Sequence, residues 1–335
     1  MEPLPFVSVV IDNYNYGRFL PRCIASALDQ DYPRERFEVI VVDDGSTDGS
    51  AQAAAGFGDR IRFIRQQNQG QPGAFNTGLG AARGDIVCLL DADDFWEPEK
   101  LRETAAGFAD PAVGIVQHPL RDADAEGRPL ATLAPRWPPC YELQDYLSGR
   151  AALAAASGLA FRTLVARQVL PIPADIAFSS DTYLTVHALF LAKARNLDRM
   201  LGCHRLHGGN NWAGQYGGAD KLEAGLRIRR TFRRHLDRKL EARGLACAPF
   251  FRLVEELEDE RYEILIAMYR GRRAQAWDHW RGLWRRRAGT GLGAFRAATL
   301  ALALLSPGLY LACYRFYGAQ RWLVRLREAL LGGRG

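Results

Sequence analysis

Five apolar residues, Ile86-Val87-Cys88-Leu89-Leu90, run without interruption into Asp91-Ala92-Asp93-Asp94. Few arrangements accept such a junction. A continuous apolar run bounded by Arg83-Gly84-Asp85 reads as a strand buried on both faces, the signature of a sheet covered by helices on each side. In an open sheet of that kind, ligands bind beyond the carboxyl ends of the strands, where the three carboxylates fall. Clustered carboxylates repel one another unless a cation or a shifted pKa relieves them, and their hard oxygens suit Mg²⁺ or Mn²⁺. A simpler reading also fits the run alone: a loop whose Asp caps a helix starting near Glu97-Pro98.

The preceding sequence repeats the pattern. Phe6–Ile11 is a short apolar strand that leads into Asp12-Asn13-Tyr14-Asn15-Tyr16-Gly17, and a helix is expected from about Arg18 to Asp29, stopped by Tyr32-Pro33. Phe37–Val42 is a second strand, ending in Asp43-Asp44-Gly45-Ser46, and Arg60–Ile64 a third. A helix through Ala82 then precedes the run ending at Asp91. Strands alternating with helices predict a parallel, doubly wound α/β sheet. Two strands ending in Asp-rich loops would then set Asp43, Asp44, Asp91 and Asp93 along one sheet edge.

At 335 residues and 48% hydrophobic, the chain is long enough for two domains. Its six cysteines are scattered without a CxxC pair, which points away from a zinc site or disulfide framework and toward a reducing compartment. Met1-Glu2-Pro3-Leu4-Pro5 has no basic region of the kind that opens a secretory signal. The net charge of +6 is unevenly spread. Residues 1–220 hold 20 basic and 27 acidic side chains, whereas 221–335 hold 24 and 11. The basic half fits an anionic partner, a membrane surface or nucleic acid.

Together, Val7-Ser8-Val9-Val10-Ile11, Tyr14-Asn15, Val41-Val42-Asp43-Asp44-Gly45-Ser46-Thr47-Asp48, Asn76-Thr77-Gly78 and Leu90-Asp91-Ala92-Asp93-Asp94 resemble family 2 glycosyltransferases, inverting enzymes of the GT-A fold. The resemblance is close over about the first 110 residues and looser to about 212. It implies a metal-dependent transfer of a sugar from a nucleotide-diphosphate donor to an acceptor hydroxyl, of the kind used in cell-surface polysaccharide or glycolipid assembly. It implies that Asp44 contacts the nucleotide base with Asp43 beside it. Asp91 and Asp93 match the DxD motif, with Asp93 on the Mg²⁺ or Mn²⁺ ion and Asp91 on the ribose or sugar. Asp94 reads as a cap or a support for its neighbours. Asp12 departs from the pattern, because the family usually has Pro there; it reads either as an extra carboxylate at the donor pocket or as a solvated loop residue.

Val113–His118 is expected to form a strand, residues 119–150 mainly loop with a short helix near Leu143–Leu147, and Ser157–Phe161 a further strand resembling the family's acceptor side. Residues 151–156 fit helix or strand. Asp181 opens an apolar-periodic helix, so it is placed to cap that helix. The resemblance makes it the catalytic base, which a carboxylate can be. Arg205 and His207, in Cys203-His204-Arg205-Leu206-His207-Gly208-Gly209-Asn210-Asn211, resemble a family segment and could neutralise the leaving diphosphate. Gln320-Arg321-Trp322 is superficially like a processive-synthase motif, but its spacing and position are wrong.

Beyond Asp220 three helices are expected, over 221–243, 251–270 and 272–287, with the Arg-rich first one salt-bridged to the acidic second. The expected organisation is a GT-A domain over 1–215, a helical region over 216–289 and an apolar, basic membrane-associated tail over 290–335. Trp277, Trp280 and Trp284 recur at helical spacing near arginines, as in an interfacial helix, and the same spacing also fits tryptophans packed inside a helical hairpin. Residues 297–314 are uncharged but broken by Ser306-Pro307-Gly308, with basic residues on both sides, Arg296 and Arg315, Arg321, Arg325 and Arg327 among them. A surface-lying hairpin at the cytoplasmic face, beside a saccharide or lipid-linked acceptor, agrees with that layout better than a single span. Two rivals are a sugar-1-phosphate nucleotidyltransferase, for which the loop after the first strand lacks a basic Gly-rich pattern, and a nucleic-acid-binding protein using the basic tail. The second leaves the Asp clusters unexplained and has no recognised motif, so no nucleic-acid partner is expected.

Overall fold

The computed structural model describes residues 4–132, 135, 137–177, 179–209, 218–287 and 291–319. The Asn210-Asn211 pair, Gln320-Arg321-Trp322 and the tail arginines 321, 325 and 327 lie outside them. The chain forms two compact units, one of Met1–Ala213 with Thr231–Ala246, the other of Gly214–Arg230 with Cys247–Gly335.

The first unit begins β1 (Val7–Asn13), α1 (Leu20–Leu28), β2 (Phe37–Asp43), α2 (Ser50–Ala55), β3 (Arg62–Arg65), α3 (Gly70–Ala81) and β4 (Ile86–Asp91). It continues with β5 (Phe95–Trp96), α4 (Lys100–Gly107), β6 (Val113–Gln117), β7 (Arg121–Ala123), β8 (Cys140–Tyr141) and α5 (Leu143–Leu147). β9 (Leu159–Arg162), α6 (Thr163–Val169), α7 (Ser180–Ala188), β10 (Lys193–Asn196) and β11 (Gly202–Arg205) complete the α/β part.

Eight strands form one sheet in the order β3-β2-β1-β4-β9-β6-β10-β8, and β5-β11-β7 form a small second sheet. The β3-β2-β1-β4 block is parallel throughout, as the strand-helix alternation predicts. The sheet is mixed beyond it, because β9 enters antiparallel between β4 and β6. Residues 151–155 form no regular element and lead into a short helical turn at Ala156–Gly158.

Alternate side chains of the central strands feed two cores. Val10, Val42 and Leu89 pack with Phe75 and Leu79 of α3 on one face, while Val9, Val41, Cys88 and Leu90 pack with Leu20 and Ile24 of α1 on the other. Burial on both faces is why these strands read as unbroken apolar runs. At Gly78 the helix lies so near the sheet that a Cβ would sit 2.3 Å from Val10 Cγ1. The parallel register sets Asp12 opposite Asp91 and Asn13 opposite Asp43, so the strand ends deliver their polar residues to one edge.

The helices α8 (Ala219–Glu241), α9 (Pro249–Tyr269), α10 (Arg273–Arg287), α11 (Gly291–Leu305) and α12 (Pro307–Ala319) follow. Residues of α8 belong to both units. Within the second unit, Arg229 pairs with Glu255 at 3.1 Å and Arg230 with Glu263 at 2.7 Å, the α8–α9 ion pairing expected from the sequence. Ser306 interrupts the apolar stretch between α11 and α12. Among the described residues, no helix is long and apolar enough to cross a membrane.

Candidate active site

The edge beyond β1 and β4 collects Asp12, Asp91, Asp93 and Asp94. Asp12 and Asp91 stand side by side, and Gln71, in the first turn of α3, reaches Asp12 Oδ2 at 3.4 Å and Asp91 Oδ1 at 3.5 Å. Burial, opposed by hydrogen bonds from Asp91 and Gln71 and reinforced by the Asp93 charge, pushes the Asp12 carboxyl up to about 7. Burial also raises Asp91 well above the usual carboxylate range, with the charges of Asp12, Asp94, Asp93 and Asp181 adding to the effect. Such a group is uncomfortable as an anion until a cation joins it.

Asp94 is fully buried, and its carboxylate works inside the turn. Its Oδ1 accepts from the Arg205 main-chain N–H at 2.9 Å and its Oδ2 from the Ser157 hydroxyl at 2.6 Å. Its pKa is raised to about 7 by burial and by the Asp93 charge, against the opposing effect of those two donors. Asp94 is thus a support for its neighbours, in line with the sequence expectation.

Arg205 and His207 come to the same turn from the strand β11 side. The Arg205 guanidinium is buried between the rings of Phe19 (4.8 Å) and Phe95 (5.2 Å). Its Nε donates to the Asp93 carbonyl at 2.6 Å and Nη1 to the Ala125 carbonyl at 3.0 Å. Those bonds make Arg205 a brace behind Asp93. His207 Nε2 lies 3.0 Å from Asp93 Oδ2, its ring set edge-on to Tyr16 (5.5 Å) and against Phe19 (4.6 Å).

At the end of β2, Asp43 is buried, accepting from Asn13 Nδ2 at 2.8 Å and pairing with Arg65 Nε at 3.3 Å. Asp44 Oδ1 accepts from Gln66 Nε2 at 2.7 Å and the Gln69 N–H at 2.9 Å. Gly45, with φ +78°, makes the turn between them and Ser46. Asp43 therefore braces the loop, and Asp44 sits beside the start of α3.

Asp181 occupies the second position of α7; the N-cap is Ser179, so the capping role expected for Asp181 is not the one it takes. Its Oδ1 accepts from the Thr182 N–H at 2.6 Å. Burial raises its pKa, against the opposing Thr182 bonds, and its charge contributes to the shift of Asp91. Asp12, Asp91, Asp93 and Asp181 thus share one electrostatic site with His207.

Gln71, Ser157 and Gln66 belong to this machinery and were not anticipated. Gln66 and Gln71 flank an amide-rich stretch, a weak signal, whereas Ser157 opens a segment marked only as an acceptor-side strand, with nothing to single out its hydroxyl. Among the described residues no three His, Cys, Asp or Glu side chains close around a metal position. The set still fits a hard divalent ion: Asp91 and Asp93 offer carboxylate oxygens, and Asp12 Oδ1 is buried without a hydrogen-bond partner. Such an ion would take further oxygens from a ligand or from water.

A mostly parallel sheet with this carboxylate edge defines an α/β domain of the GT-A type. A mannosyltransferase from Pyrobaculum calidifontis, solved with GDP-Man and Mn²⁺, superposes with a TM-score of 0.56 at 19% identity, over 99% of this chain and 89% of that one. S. aureus TarS 1–349 with UDP gives 0.52 at 19%, over 82% and 89%. Residues 8–163 match the family model described as glycosyl transferase family 2, so the chain carries a glycosyltransferase domain of that family. An uncharacterized glycosyltransferase of Nostoc sp. is 38% identical over 214 residues, 61% of this chain and 66% of that protein. Glycosyltransferase AglE of Haloferax volcanii is 29% identical over 208 residues, covering 60% and 67%. The chain thus spans about two thirds of the length of these relatives.

Proposed function

We infer that this protein transfers one sugar from a nucleotide-diphosphate donor to an acceptor hydroxyl with inversion, in the assembly of a cell-surface polysaccharide or glycolipid. The observation that carries the reading is the convergence of Asp91 and Asp93 with Asp181, close enough for the Asp181 charge to raise Asp91. Asp44 would receive the base and Asp12 would line the donor pocket. Asp43 would hold the loop from within. Asp91 and Asp93 would hold Mg²⁺ or Mn²⁺, which when bound would neutralise the donor diphosphate and favour its departure. His207, against Asp93, would face the same diphosphate, with Arg205 bracing the turn.

Asp181 is assigned the proton. As the acceptor oxygen attacks the anomeric carbon, the C–O bond to the nucleoside diphosphate breaks and the hydroxyl proton passes to the Asp181 carboxylate. Burial raises its pKa, which makes it a stronger proton acceptor than an exposed carboxylate. The Asp-rich edge would otherwise repel the donor, which is why the reading includes a cation.

We place the protein at the cytoplasmic face of the cell membrane, peripheral or monotopic, next to a saccharide or lipid-linked acceptor. The basic excess after residue 220 supports that location. The experiment is a panel of nucleotide sugars scored for Mn²⁺-dependent thermal stabilisation and hydrolysis. One donor should raise the melting temperature only with the metal. A panel with no stabilising member would defeat the reading.

A further inference from the structure

The second unit leaves part of its surface apolar. Helix α11 carries only two polar side chains, Arg296 and Thr299, in 15 residues. One face, Ala297, Leu300, Ala303 and Leu304, is buried with Leu265 of α9 and Leu283 of α10. On the other side of the helix Leu305 is 70% exposed and Phe295 46%, and Leu309 of α12 is 48% exposed. On α10, Trp277 and Trp284 are about equally exposed, at 44% and 45%. Trp280 joins that row to α11 by donating its indole N–H to the Ala297 carbonyl at 2.8 Å, and it stacks on Trp284 with centroids 5.8 Å apart. Large exposed apolar side chains grouped in this way mark a surface that meets something else.

Charge selects the occupant. Between residues 264 and 319 the sequence holds nine arginines and a single acidic residue, Asp278. At least five of the six acids of α9 are engaged: Glu255 with Arg229, Glu258 with Arg296, Asp259 and Glu263 with Arg230, and Glu260 with Arg286. Arg281 and Arg285 stand exposed on the tryptophan helix. A second copy of the chain would bring the same positive excess against itself, whereas an anionic lipid surface complements it. At 15 and 13 residues, α11 and α12 fall short of the ~20 that a span requires. A helix that carries exposed tryptophans beside arginines, as α10 does, meets lipid by lying in the interface.

We propose that the face formed by Trp277, Trp284, Phe295, Leu305 and Leu309, with Arg281 and Arg285 beside it, docks the protein in the plane of an anionic lipid surface. The proposal rests on the membrane location inferred above and names the surface that makes it; it does not depend on which sugar is moved.

The test is flotation of the full chain with vesicles of phosphatidylcholine and phosphatidylglycerol, or of phosphatidylcholine alone. The protein should float with the anionic vesicles, several-fold less in high salt, and poorly with the neutral ones. Leu305→Asp and Phe295→Asp should each lower the bound fraction about tenfold. Leu164→Asp, at an exposed leucine of α6, should leave it unchanged. Quenching of the wild-type tryptophans by brominated lipid gives a readout that needs no variant to fold. Wild-type protein that binds neither vesicle would overturn the membrane location itself. Protein that floats equally well with Leu305 or Phe295 replaced, or without tryptophan quenching, would overturn this face alone. Light scattering that shows a dimer dissolved by Leu305→Asp, without vesicle binding, would assign the face to a second copy.

Discussion

Ser157 donates its hydroxyl to Asp94 Oδ2 at 2.6 Å from a position 63 residues further along the chain. The same oxygen of Ser157 accepts the Asp91 main-chain N–H at 3.1 Å, so one hydroxyl fastens both ends of the Asp91–Asp94 turn. Arg205 closes the arrangement from β11 by donating its N–H to Asp94 Oδ1. Three separated segments therefore hold the carboxylates that the donor would meet, and a turn fixed in this way loses little freedom on binding.

The Ser157→Ala protein should be less stable than the parent by about 1–3 kcal/mol, because it leaves a buried carboxylate oxygen and a buried N–H without partners. Urea unfolding followed by circular dichroism measures the loss. Divalent-ion affinity should weaken as well, since Asp91 and Asp93 are then held less firmly. An unchanged unfolding midpoint would show that the turn does not depend on this hydroxyl.

The parallel block and its Asp-rich edge were legible because burial on both faces writes itself as unbroken apolar runs, as at Phe37–Val42 and Ile86–Leu90. Strand β9 was legible as a strand but not in its direction, since Leu159-Ala160-Phe161 looks the same run either way. Strands β5, β7, β8 and β11 are two to four residues long, too short for a period to emerge. A capping role competed with the base role for Asp181 in the sequence, and Ser179, two residues earlier, is the N-cap. The brace formed by Arg205 escaped sequence reading for a different reason. Its guanidinium donates to the main-chain carbonyls of Asp93 and Ala125, and a carbonyl is present at every residue, so those bonds leave no trace in the sequence.

Asp93→Asn should fold as the parent does, because the amide keeps the shape and can still accept from His207, which lies 3.0 Å from Asp93 Oδ2. It should lose a charged oxygen ligand and with it most of the divalent dependence of donor binding. Calorimetric titration of the donor with and without Mn²⁺ reads this directly. Equal affinity and equal metal dependence in both proteins would remove Asp93 from the metal site.

Acid should destabilise the first unit through His187. The ring is buried on α7, stacked on Tyr183 at 3.8 Å, and its Nδ1 lies 2.9 Å from the Tyr183 carbonyl, so that nitrogen carries the proton of the neutral form. Burial, helped by the Lys239 charge and by His235, both on α8, lowers its pKa to about 4 against the Tyr183 bond. The unfolded chain therefore binds the proton first, at an ordinary His pKa near 6.5. Stability is fully present above that value and is lost as pH falls from about 6.5 toward about 4, by up to about 3 kcal/mol. His187→Phe keeps the stack and removes the titration, so the stability difference between the two proteins should change with pH over this window. A difference that stays constant from pH 7.5 to 4.5 would exclude His187 as the source.

The sharpest test of the proposed chemistry is Asp181→Asn. Asp181 is one residue inside α7, not its cap, and its Oδ1 accepts the Thr182 N–H at 2.6 Å, a bond that an Asn carbonyl oxygen can replace. The substitution removes a buried charge from a site crowded with Asp12, Asp91 and Asp93, so stability should stay within about 1 kcal/mol of the parent or rise slightly. Donor affinity should be nearly intact, since the donor side is held by Asp44, Asp91 and Asp93. Turnover should fall by at least about 10²-fold, because an amide cannot take the acceptor's proton. Donor binding by calorimetry and transfer to a defined acceptor separate the two quantities. Transfer at the parental rate, with the variant folded, would mean that another group accepts the proton and that Asp181 serves only the helix.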